Sequence, residues 1–147
     1  MPKFELKKFH KNKGHEGEGF YCELWMDGAY VATVIDEGNG GTPLYQWGSR
    51  EAREKVHAHI ASLPDKQYPA AYGMKAWSVK ADEETFICDL VELHHIKKAC
   101  KKHTCFHLKG QEGTYSELNR PYSPEIAAQL RKEYGDKLLV IYNESLQ

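Results

Sequence analysis

Cys100, His103, Cys105 and His107 crowd into one short run of this chain, which makes it the densest supply of metal-ligand side chains. Cys100 and His103 fall three apart near an expected helix end and so share a face. Cys105 and His107 fall two apart on an expected strand and share a face as well. Two such pairs flanking a tight turn have the donor set of a tetrahedral Cys2His2 zinc site. The spacing C-x-x-H-x-C-x-H is not that of a zinc finger, however, and the turn is short. Buried thiols and surface imidazoles account for the same residues more simply, so no cofactor is expected and zinc is the weaker alternative.

A second candidate is the run Gly38, Asn39, Gly40, Gly41, Thr42. Consecutive small residues with positive φ turn successive N–H groups toward one point, and such a concavity holds phosphate or carboxylate oxygens. Thr42 adds a hydroxyl. Tyr45 and Trp47 follow closely enough to stack on a ring, and Arg50 opens the next helix, where a cation is favourable only if an anion is near. No Gly-Lys-Ser/Thr follows, so this is not a P-loop, and it is not a dinucleotide GxGxxG. The plainer alternative is a strand-to-helix connection that needs glycine for its turn alone.

Other residues carry weaker signals. The histidines number 8, with His57 and His59 on one expected helix and His94 and His95 on another, but no catalytic pairing with Ser, Cys or Asp stands out. Structural roles beside apolar stripes are the simpler reading. Lys97, Lys98, Lys101 and Lys102 cluster at a helix end; they offset the macrodipole there and would steer an anion if they lined a cleft. A further basic cluster, Lys3, Lys7, Lys8, Lys11 and Lys13, opens the chain. Tyr21 and Trp25 alternate with Cys22 and Leu24, which places the two aromatics together on one sheet face as a partner surface, unless a helix covers them.

The elements that must position these groups follow from local signals. Residues 3–10 and 20–26 alternate, and Asp27-Gly28 joins the second run to the β-branched stretch 29–35, a type I′ hairpin signal. Glycines at 38, 40 and 41 end that strand. Ser49 caps a helix bearing Ala52, Val56, Ile60 and Leu63 at helical spacing, and Pro64 stops it. Residues 64–81, with Pro64, Pro69 and Gly73, form a loop holding a short strand near Lys75–Lys80. Asp82 caps a long helix over 83–102. TCFHLKG and GTYSELNRPY flank a turn at Gln111-Glu112-Gly113. Ser123-Pro124-Glu125 then starts a helix ended by Gly135, and Leu138–Tyr142 is a last strand. Strands grouped before helices imply an α+β fold with a largely antiparallel sheet: an N-terminal hairpin unit, two central helices and a C-terminal ββαβ unit. One domain of 147 residues is expected, with possible lobes 1–63 and 82–147 joined by the irregular segment 64–81.

Composition bounds the class. Hydrophobic residues make up 41% and charged residues 28%, with a net charge of −1, which is ordinary for a globular chain and argues against generic nucleic-acid binding. No apolar run approaches the ~20 residues of a membrane helix, and Lys3, Glu5, Lys7 and Lys8 break any leader-like stretch. A cytoplasmic protein with reduced cysteines and no membrane attachment is expected.

The stretches CELWMDGAYVATVIDEGNGG and FHLKGQEGTYSELNRPYSPEIAAQLRKEYGDKL together resemble small accessory proteins encoded by phages and prophages, to which no reaction is assigned. The resemblance covers about a third of the chain and carries no catalytic residue over. It implies a role inside a host bacterial cell. The reading that joins these signals is a non-enzymatic protein that inhibits host defence by sequestering a small phosphorylated, nucleotide-like ligand at Gly38–Thr42, Tyr45, Trp47 and Arg50. Alternatives are an inhibitor that grips a host enzyme through Tyr21 and Trp25, and a small hydrolase using His and Asp/Glu. Exposed strand edges and aromatics favour a homo-oligomer.

Overall fold

The computed structural model describes residues 2–68, 70, 73, 75–111 and 114–146. The fold is α+β, and the chain divides into two compact units, 1–91 and 92–147.

In the first unit, β1 (Phe4–Lys13), β2 (Glu18–Met26), β3 (Ala29–Asp36) and β4 (Leu44–Trp47) form an antiparallel sheet in sequence order. Asp27 (φ 50°) and Gly28 (φ 82°) make the β2–β3 turn, as a type I′ hairpin requires. Parity then sorts the side chains. Cys22, Leu24, Ala32 and Val34 are wholly buried, and Tyr21, Glu23 and Trp25 point to the other face. Over the buried face lies α1 (Arg50–Ser62), through Ala52, Val56 and Ile60, together with Phe86 and Ile87 of α2 (Glu83–Ala99). Both helices start where their caps dictate. Ser49 Oγ accepts from the Ala52 amide at 3.0 Å, and Asp82 and Thr85 exchange reciprocal side chain–backbone bonds of 2.8 and 3.0 Å.

Three elements differ from the sequence reading. The β1–β2 hairpin extends beyond the alternating runs 3–10 and 20–26, pairing Asn12 with Gly19 and Lys13 with Glu18. Backbone pairing needs no side-chain alternation, and here the turn is confined to residues 14–17. Tyr45 and Trp47 lie on a strand, β4, rather than in a connection. Between α1 and α2, β5 (Lys66–Tyr68) pairs with β6 (Trp77–Val79), so the irregular segment holds a hairpin; Pro69 within it lies outside the described residues. The boundary between the units falls inside α2, whose Phe86 and Ile87 belong to the first core.

In the second unit, β7 (Thr104–Leu108) is the centre of an antiparallel sheet, flanked by β8 (Ser116–Leu118) and β9 (Leu138–Ile141). Of the turn expected at 111–113, Glu112 and Gly113 lie outside the described residues. The amphipathic helix α3 (Pro124–Tyr134) packs Ala127 and Leu130 on Phe106 and Ile141. Ser123 Oγ caps it through the Ile126 amide, and Gly135, at φ 52°, ends it. A short helical turn, α4 (Tyr142–Ser145), follows β9. No helix among the described residues is long and apolar enough to cross a membrane.

Candidate functional site

The glycine-rich bend does not gather its expected residues around one point. The Gly38 amide donates to Asp36 Oδ1 at 2.8 Å, and the Gly38 carbonyl accepts from the Glu16 amide at 2.8 Å. Asn39 Oδ1 accepts from the His15 amide at 3.3 Å. Gly38 is buried against the turn of the β1–β2 hairpin: a Cβ there would lie 2.6 Å from the Gly17 carbonyl oxygen, at φ +72°. Cβ atoms at Gly14 and Gly19 would likewise overlap the carbonyls of Glu37 and Asp36. These glycines let two loops touch backbone to backbone. Gly40, Gly41 and Thr42 remain exposed, but Asp36, Glu37 and Glu16 beside them oppose an anion.

Nor do the aromatic partners face that bend. Tyr45 and Trp47 pair with the buried Val34 and Ala32, so both turn to the core side of the sheet. Their rings stack at 4.9 Å, and the Tyr45 hydroxyl donates to the Glu83 carbonyl at 2.7 Å. Burial, with Glu83 nearby, pushes the Tyr45 hydroxyl well above its ordinary pKa. His57 meets Trp47 edge-on and pairs with the Glu83 carboxylate. The Arg50 side chain is 90% exposed and lies on Glu54. Strand parity, invisible until β4 is recognised, accounts for the inward turn.

Tyr21 and Trp25 occupy the opposite sheet face. Trp25 donates to Glu23 Oε1 at 3.1 Å, Lys7 Nζ lies 3.9 Å over its ring, and Tyr30 meets it edge-on. Leu44, in register with Ile35, is 59% exposed at the margin.

The Cys/His run is split. Burial pushes the Cys100 and Cys105 thiols up, Cys105 to about 12. His103 Nδ1 lies 2.6 Å from Glu117 Oε1, and His107 Nδ1 lies 2.9 Å from the Thr114 carbonyl. Among the described residues, no group of three or more His, Cys, Asp and Glu side chains is placed to hold a metal. Each imidazole has its own local acceptor, Glu117 for His103 and the Thr114 carbonyl for His107.

What the fold does assemble is a cleft of about 430 Å³ in the second unit, lined by Lys97, Cys100 and Lys101 of the α2 end, Tyr122, and Tyr142, Asn143 and Leu146. Its floor is closed by Asn143, which is 8% exposed. Asn143 Oδ1 accepts from the Cys105 amide at 2.8 Å, and its Nδ2 donates to the Cys100 and His103 carbonyls at 3.2 and 2.8 Å. Two carbonyls in the turn that follows α2, which would repel an anion, are therefore already satisfied. The Tyr122 hydroxyl donates to Glu144 Oε2 at 2.6 Å, and Glu144 is balanced by Arg131. Lys97 and Lys101 have no acidic partner among the described residues. Burial, then His95, Lys98, Lys101 and Lys97, hold His94 below its ordinary pKa, while Glu92 acts in the opposite sense on Tyr142 and Glu117 on Cys100.

No family profile, curated protein or solved structure matches this chain. The lysines of the cleft are visible in the sequence as a helix-end cluster. Tyr122 and Tyr142 carried no signal, since only the folding of α3 and β9 brings them beside α2.

Proposed function

We propose that the protein is a non-enzymatic binder of a small phosphorylated, nucleotide-like ligand, and that the ligand sits in the cleft of the second unit. The observation that carries this reading is the pair Lys97 and Lys101, which have no ion pair among the described residues and line one hollow with Tyr122 and Tyr142. Two ammonium groups neutralise phosphate oxygens, and phenol rings offer flat surfaces to a base. The volume falls in the range of small-molecule sites. With the resemblance to phage accessory proteins, stoichiometric capture of a nucleotide signal would serve to blunt host defence.

Isothermal titration with AMP, adenosine and inorganic phosphate tests the reading. AMP is expected to bind more tightly than either part alone and to be recovered intact. Lys97→Glu/Lys101→Glu should weaken AMP by about 10-fold or more, since each exposed charge contact contributes up to ~1 kcal/mol and reversal doubles the change. Equal binding of AMP and adenosine, or indifference to the double substitution, overturns it. Breakdown of the nucleotide would favour a hydrolase.

A second reading rests on the outer sheet face, where Tyr21, Trp25, Tyr30 and Leu44 lie together on the side opposite the core. Such a face suits a protein partner, either a host enzyme or another copy of this chain. Tyr21→Asp/Trp25→Asp should shift the native mass toward the monomer if the partner is a second copy, with AMP binding unchanged. An unchanged mass removes self-association by this face.

A further inference from the structure

The first unit contains a break in its own packing. Phe4, Leu63, Phe86 and Leu90 join the principal core, yet they also line an open hollow of about 380 Å³ between the start of β1, the end of α1 and the start of α2. Interiors pack at crystal-like density, and an apolar void lined by a protein's own core side chains forfeits contacts it would otherwise make. The walls are aromatic: Phe4 meets Phe86 edge-on at 5.0 Å, and His59 lies 4.8 Å from Phe4 and 5.8 Å from Phe86. The charged groups sit at the rim. Lys66 Nζ is 2.6 Å from Asp89 Oδ1, so these two balance each other. Asp65 lines the same rim with a carboxylate that has no partner among the described residues. An aromatic hollow with one acid in excess among its described lining residues complements an apolar body carrying a positive charge, through the ring faces and the carboxylate alike.

We infer that this hollow binds a small hydrophobic organic cation of the arylalkylamine class, its ring among Phe4, Phe86 and Leu90 and its ammonium toward Asp65. The site is separate from the anion cleft of the second unit, carries the opposite charge preference, and does not depend on that reading.

The test uses the whole protein and three probes of similar shape: 2-phenylethylamine, 2-phenylethanol and 3-phenylpropionate. Amide chemical shifts of Phe4, Leu63, Phe86 and Leu90 report occupancy. The amine is expected to shift these residues at millimolar concentration and to bind about fivefold more tightly than the acid, with the gap narrowing as salt rises. Asp65→Asn, an exposed substitution that leaves the core intact, should weaken the amine about threefold and leave the alcohol unchanged. Lys97→Glu/Lys101→Glu should leave all three unchanged. Absence of shifts with every probe overturns the proposal. So does equal affinity for amine, alcohol and acid, or an amine affinity indifferent to Asp65→Asn.

Discussion

The two units solve the same problem by different means. The first spreads a four-stranded sheet under two helices and buries a continuous apolar cluster from Phe20 to Ile87. The second has a smaller sheet and a smaller buried cluster, Phe106 and Ile141 of the sheet with Ala127 and Leu130 of α3. It makes up the difference with polar ties, above all Asn143 linking the α2 end to β7, and Glu144 holding Tyr122 and Arg131. A small core leaves less apolar area to bury, so satisfied polar groups carry more of the specification. The contrast extends to the hollows: the large core has an apolar one with an acidic rim, and the small core a basic one floored by an amide.

The largest effect that sharpens this contrast is in the first core. Leu24→Ala, at a wholly buried position, should cost about 4 kcal/mol in urea unfolding. Asn143→Ala should cost about 3 kcal/mol, because it strands the Cys105 amide and frees two carbonyls at the α2 end. A loss under about 1 kcal/mol there would break the view that polar ties hold the second unit. Gly38→Ala should cost about 2 kcal/mol, from its positive φ and the Gly17 carbonyl beside it, while Gly41→Ala, with open space around it, should stay within about 0.5 kcal/mol. Equal effects at the two glycines would return the bend to a ligand role. The smallest effect is electrostatic. His94 has a folded pKa below 6.5, so the unfolded chain binds more protons under that value. Stability is fully present above pH 6.5 and falls as the pH drops through the lowered folded value. His94→Gln should flatten that decline in thermal unfolding profiles, and AMP bound nearby should flatten it as well, because its phosphate favours the protonated imidazole.

The positions of the helices and of the β2–β3 hairpin were legible in residue order. Ser49, Asp82 and Ser123 each reach an amide three residues on, and Asp27-Gly28 supplies two consecutive positive φ angles; these interactions close within a few residues, so local chemistry suffices. The alternation of Cys22 and Leu24 with Tyr21 and Trp25 likewise separated the two sheet faces. Tertiary structure alone decided what the glycines at 14, 19 and 38 are for, since their contacts join loops far apart in sequence. It also decided that Tyr45 and Trp47 face inward, and that Lys97 and Lys101 share a hollow with Tyr122 and Tyr142. Those outcomes depend on strand register and on which helix face meets which sheet. A local pattern constrains both only weakly, because the energy that selects them comes from burial across the whole fold.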